Sequence, residues 1–179
     1  MFRQQMAGMA RERLVFLDES GFHLAMTRRY GRARRGTRAV HSVPTNRGLN
    51  LSVISAVRLQ GVVASLSVQG AIDTPIFDTY ISNLFLPHLH ARDVVLLDNL
   101  PVHVASQIEA MVASVKGEVW WLPAYSPDFS PIEPFWSKVK AAVRSTEPRT
   151  EPELNTALTA AINAVSCADI DGWFRHCGY

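Results

Sequence analysis

Apolar residues recur along the chain with two spacings. Leu14–Leu17, Val94–Leu97 and Val119–Leu122 are short unbroken apolar runs, as expected of strands covered on both faces. Leu51–Val57 and Val62–Val68 are rich in β-branched residues and flank Arg58-Leu59-Gln60-Gly61, which predicts an antiparallel hairpin. Elsewhere the spacing is helical. Ile76, Phe77, Tyr80, Ile81, Leu84 and Phe85 follow Thr74 as cap and Pro75 as first residue, and this helix should stop near Pro87. Val104, Ile108, Met111, Val112 and Val115 mark a second helix, opened by Pro101 and ended by Gly117. Ile132, Phe135, Trp136, Val139 and Val143 mark a third. Leu154, Ala157, Leu158, Ala161, Ile162 and Val165 mark a fourth, behind the capping-box pair Thr150 and Glu153. The final segment, DIDGWFRHCGY, should fold Trp173 and Phe174 back onto the body. The predicted order is β-β-β-α-β-α-β-α-α, an α/β fold with a mixed five-stranded sheet: three antiparallel strands, then β-α-β, with flanking helices.

Three acids interrupt this pattern at comparable places. Asp18 closes the first apolar run, Asp98 closes the fourth strand, and Glu133 stands where the third helix begins. Alternation puts Asp18 and Glu19 on opposite strand faces. Ser130, Pro131 and Glu133 fit an N-cap, a first and a third helical position, but Pro134 disfavours helix at Glu133 and favours a later start. Glu133 shares a helix face with Ser137, Lys140 and Arg144, whereas Lys138 projects elsewhere. Glu133 could serve as a cap. If instead the three carboxylates converge, they offer hard oxygen ligands for Mg²⁺ or Mn²⁺, and two such ions about 3.5–4 Å apart suit phosphodiester chemistry. Mutual repulsion should leave such a site half-formed without its ions.

Charge changes the picture further. The net charge of +2 hides an uneven distribution. Residues 1–72 carry 11 Lys+Arg against 3 Asp+Glu, and residues 73–179 carry 7 against 13. Between Ser20 and Ile72 there are eight arginines and no acid. Arg28, Arg29, Arg32, Arg34, Arg35, Arg38 and Arg47 lie among Gly31, Gly36 and Gly48, a basic loop or hairpin favouring a polyanionic partner. The two cysteines, Cys167 and Cys177, suggest neither a disulfide framework nor a zinc site and fit a reduced cytoplasmic setting. No signal peptide and no membrane-spanning run is present.

The blocks LVFLDESG, VVLLDNLPVH and LPAYSPDFSPIEPFWSKVK resemble the three motifs of the DDE superfamily endonuclease domain, as found in mariner-like transposases of bacterial insertion sequences. The third block is the most specific, and the 34 residues between Asp98 and Glu133 match the family spacing. The resemblance covers residues 14–145 and extends to the WFRHCGY ending. It implies an RNase H-like fold over 14–179, after a lead-in at 1–13. It also implies a catalytic, metal-binding triad of Asp18, Asp98 and Glu133 using two Mg²⁺ or Mn²⁺ ions. The activity implied is cleavage at transposon ends followed by transfer of the 3′ hydroxyl to target DNA. An RNase H-like nuclease without strand transfer, or an inactive fragment that binds DNA or a partner, are the alternatives. Arg28, Arg29, Arg32, Arg34, Arg35, Arg38, Lys140 and Arg144 are the expected DNA contacts. Glu19, Asn99 and His103 are candidates to support the site; a structural role suits His103 equally. Ser130 and Ala124 depart from the family's usual Asn and Pro. Family members usually carry helix-turn-helix modules ahead of this domain. About 13 residues precede the first strand here, which points to a split product, a truncated copy or a recombinant piece, with a separate helix-turn-helix product as partner. A homodimer or higher assembly on DNA is also expected.

Overall fold

The computed structural model describes residues 6, 8–28, 30–98, 102–123 and 126–179, with backbone alone at 102–106. Five strands form one sheet in the order β3-β2-β1-β4-β5: β1 Leu14–His23, β2 Asn50–Arg58, β3 Gly61–Gln69, β4 Val94–Leu97 and β5 Glu118–Trp121. The first three pair antiparallel, while β1–β4 and β4–β5 pair parallel. This is the mixed sheet expected from the sequence.

The helices cover both faces. They are α1 Thr74–Tyr80, α2 Val102–Ser114, α3 Ile132–Thr146, α4 Glu151–Asn163 and α5 Cys167–Cys177. Strand alternation sorts the side chains. Leu14, Phe16 and Phe22 of β1 pack with Val94, Leu96 and the buried faces of α3, α4 and α5. Val15 and Leu17 pack with Val95, Leu97, Tyr80, Ile108 and Val112 on the α1–α2 side. Burial on both faces explains why these runs are apolar without a break.

Several local expectations change. The first helix is capped by Asp73, whose side chain accepts from the Ile76 N–H at 3.0 Å, so Thr74 is its first residue. It continues as a π-helical turn, Ile81–Phe85, and a 3₁₀ turn, Leu86–His88. The tail is a full helix, α5, behind a second capping box made by Ser166 and Asp169, where only a packed tail was expected. Lys138 pairs with Asp169 and ties α5 to α3. Trp120 and Trp121 lie on opposite sheet faces and both are half-buried. Their indoles donate to Glu118 and Glu109.

At the N-terminal end of β1, Arg58 of β2 and Asp93 before β4 form an ion pair, 8% and 3% exposed. The same Asp93 oxygen accepts from the His90 backbone N–H at 2.7 Å, and the Arg58 guanidinium lies 2.8 Å from His90 Nδ1. This staple joins the hairpin to the parallel half of the sheet, at the end opposite the acids. Cys177 is buried and Cys167 exposed, both as free thiols. Among the described residues no helix is long and apolar enough to cross a membrane.

Candidate active site

β1 runs to His23, so Asp18 sits inside a strand rather than at its end. The reason lies in its two neighbours. Pairing with β4 stops at Phe16↔Leu96, while pairing with β2 continues from Asp18↔Ser55 to His23↔Asn50. Asp18 therefore lies where β1 has lost its parallel partner. Asp98 follows β4 directly, near enough to Asp18 to act on its charge, and both line one cleft at this end of the sheet. Alternation from Phe16 aims Asp18 toward the face that α3 covers.

α3 delivers the third acid. Its N-cap is Pro131, no side chain caps it, and Ser130 contributes only its backbone carbonyl, to the Glu133 N–H at 3.1 Å. The capping-box reading of Ser130 and Glu133 is thus overturned. Glu133 is the second helical residue and Pro134 the third. First-turn N–H groups have no partner within a helix, so Pro134 removes no helical bond there. Glu133 is exposed at the positive end of the helix dipole, which favours its charge. The preceding 3₁₀ turn, Pro127–Phe129, is held from the far end of the chain: the Tyr179 hydroxyl donates to the Phe129 carbonyl at 2.7 Å, and its ring packs on Phe16.

Asp18 feels both other acids. Burial pushes its carboxyl up from an ordinary 3.8 to about 6. A bond from the Glu19 backbone opposes this, Glu133 raises it further, the Trp136 indole opposes, and Asp98 adds a smaller push upward. The Trp136 Nε1–H donates to Asp18 Oδ2 at 3.0 Å. Periodicity marked Trp136 as core, which it is, and gave no sign of this bond. Among the described residues no three His, Cys, Asp or Glu side chains are drawn close enough to ligate an ion. The donor set nonetheless fits Mg²⁺ or Mn²⁺: hard oxygens only, with a central carboxyl whose burial and like-charged neighbours a cation would offset.

This environment carries a pH prediction. Asp18 is raised in the folded state, so its contribution to stability is complete below about pH 3.8 and is lost as pH rises through about 6. The loss is on the order of 2–3 kcal/mol. Urea titrations in EDTA should show stability falling between pH 4 and pH 7, and Asp18→Asn should flatten that decline. Equal slopes in both proteins would refute it.

The other candidates are placed as follows. Glu19 is exposed, on the strand position alternate to Asp18, and with Asp18, Asp98, Asp73 and Phe77 lines a cleft of about 360 Å³. Arg28, Arg32, Arg34, Arg35 and Arg38 are exposed on an irregular excursion between β1 and β2. Its base is closed by Leu24 N–H to the Arg47 carbonyl at 3.1 Å, and His41 pairs with Glu147 at 2.9 Å. Lys140 Nζ lies 5.8 Å from the Phe22 ring centroid. Arg144 and Arg47 flank His23, whose imidazole is held below its ordinary pKa by burial first, then by those two cations. Only the fold reveals that cationic group, since its members are far apart in sequence. Arg29, Asn99 and the His103 side chain lie outside the described residues.

The model of the DDE superfamily endonuclease family matches residues 13–155, most of the chain and all three acids. The chain belongs to that family. Among curated proteins, none matches it. Solved structures similar to this DDE endonuclease chain include a pre-cleavage Mos1 transpososome, with TM-score 0.75 and 16% identity over 98% of this chain and 54% of that one. The Mos1 mariner paired end complex with Mn gives 0.75 and 19%, over 98% and 56%. The isolated catalytic domain of Mos1 mariner transposase gives 0.68 and 15%, over 98% and 80%. At these identities the likeness establishes the fold, which is RNase H-like. The chain spans about half the length of the transposase chains in the two complexes.

Proposed function

We propose that this DDE endonuclease domain is the catalytic part of a DNA transposase, cutting at transposon ends and joining the freed 3′ hydroxyl to target DNA. The observation that carries the reading is the electrostatic interaction of Asp18 with both Glu133 and Asp98, together with the Trp136 bond that holds the start of α3 against Asp18. These three residues would hold two Mg²⁺ or Mn²⁺ ions. The ions supply Lewis-acid neutralisation of charge on the reacting phosphate and a lowered pKa for the attacking water or hydroxyl. Solved Mos1 complexes with Mn and with Mg, and a Mos1 strand transfer complex, support the choice of metals and reaction.

The rest of the chain binds and positions. Lys140, Arg144 and Arg47 present positive charge along and beside the α3 face that begins at Glu133. Arg28, Arg32, Arg34, Arg35 and Arg38 extend it away from the sheet, where phosphates of a longer duplex would lie. Phosphate contacts of this kind orient DNA without reading its sequence; end recognition is assigned to a helix-turn-helix module, linked or separate. Two transposon ends require two active sites, hence a homodimer or larger assembly on the nucleoid in the cytoplasm.

The test is an assay on DNA carrying the element's own ends, with Mg²⁺ or Mn²⁺. Joined product is expected; nicking alone would leave a nuclease, and neither product would refute the reading. A linked prediction concerns the arm. Replacing Arg32, Arg34, Arg35 and Arg38 by alanine should lower the slope of log K against log[salt] by up to about 3–4, at roughly 0.9 per lost phosphate contact. An unchanged slope in fluorescence anisotropy titrations would remove the arm from the interface.

A further inference from the structure

We infer that Trp136 is a positioning residue for the metal site, orienting the Asp18 carboxylate through its indole N–H; the inference rests on the metal-site reading above. The bond is 3.0 Å long, between a residue 3% exposed and the acid at the centre of the constellation. Trp136 lies three residues after Glu133 on α3. One helical turn therefore carries both a proposed ligand and the anchor of another, and the bond ties α3 to β1 at the point where the two acids must be spaced. The indole is itself fixed. Its ring packs against Phe22 at 6.1 Å and Phe135 at 4.8 Å between centroids, so the N–H has little freedom to follow a wandering carboxylate.

The chemistry of the donor matters as much as its place. A buried indole N–H needs an acceptor, and a backbone carbonyl would serve for packing alone. Here the acceptor is a carboxylate proposed to bind metal. The donor is neutral and has no acceptor lone pair, so it can neither ligate an ion nor replace one as counter-charge. A lysine or arginine in its place would compete with the metal. The indole takes one lone pair of Oδ2 and the Glu19 backbone donates to the same carboxyl, so the remaining lone pairs are the ones open to coordination. Hydrogen bonds to ligating groups typically change metal affinity or activity by about 10–100-fold.

The test has two arms. In ¹⁵N-tryptophan protein, Mg²⁺ titration should move the Trp136 indole resonance, assigned by its loss in Trp136→Phe, while the Trp120 and Trp121 indoles stay in place. This arm needs no substituted protein beyond the assignment and no catalysis. In the second arm, calorimetry with Mn²⁺ should show Trp136→Phe binding about 10–100-fold more weakly. Cleavage should then recover toward the parent rate at saturating ion. A Trp136 resonance that does not move while the ion binds, or a folded Trp136→Phe with parent affinity, overturns the positioning role. If Asp18→Asn and Glu133→Gln lose ion binding while Trp136→Phe keeps it, only the positioning role falls. If Asp18→Asn itself binds ions as the parent does, the metal-site reading falls with it.

Discussion

Glu133→Gln should lower metal-dependent DNA cleavage by at least about 10³-fold while leaving the fold nearly untouched. Two features of α3 separate chemistry from stability at this position. Glu133 makes no cap, since Pro131 is the N-cap and no side chain satisfies it, and Glu133 is exposed. Removing its charge costs only its favourable interaction with the helix dipole, about 0.3–1 kcal/mol. Glutamine preserves shape but gives up an anionic ligand. Loss of one ligand from a site that neutralises the reacting phosphate removes several kcal/mol of transition-state stabilisation, each 1.4 kcal/mol being tenfold in rate. Single-turnover nicking assays beside urea denaturation would show both halves. Retention of cleavage within about tenfold would remove Glu133 from the site.

The second large effect lies at the other end of the sheet and has the opposite character. Asp93→Leu should destabilise the fold by about 3–5 kcal/mol, because it strands the Arg58 guanidinium in a buried position without its counter-charge. That is a large share of the roughly 5–15 kcal/mol that holds a domain together. Arg58→Met alone should cost a similar amount by stranding Asp93. The double variant should be more stable than the sum of the singles implies, since it removes both charges together. The pair is far from Asp18 along β1, so residual folded protein should keep its metal dependence. Denaturation midpoints of the four proteins close the cycle, and additive losses would show that the pair is not coupled.

What could be read from the sequence followed the range of the interactions. The five strands and four of the helices were legible because each is a local pattern of apolar spacing. The three candidate acids could be singled out because each sits at a fixed place in such a pattern, within motif blocks that resemble those of the DDE superfamily endonucleases. Features set by contact between distant segments were not legible. Asp18 stands inside β1 because β2 pairs on past the point where β4 stops, which the residues near Asp18 do not encode. Pro134 looked costly only while the helix was taken to begin at Pro131; a start at Ile132 places it in the first turn, where no bond is lost. The Trp136–Asp18 bond, the Tyr179 support of the turn before α3, and the Arg58–Asp93 pair join residues 118, 50 and 35 positions apart. The last helix was legible but not read: Ile170, Trp173, Phe174 and Cys177 fall at i, i+3, i+4 and i+7, behind the capping box of Ser166 and Asp169, with Gly172 in their midst reading as a breaker.

Asp18 is half-buried, pressed by two like charges and held by an indole N–H. It is the residue proposed to share divalent ions with both Asp98 and Glu133. Anomalous diffraction from crystals of the chain grown with Mn²⁺ and transposon-end DNA tests this most directly. Manganese bonded to Asp18 together with Asp98 and Glu133 is the predicted result, and manganese bound elsewhere with the Asp18 carboxylate unligated would contradict it.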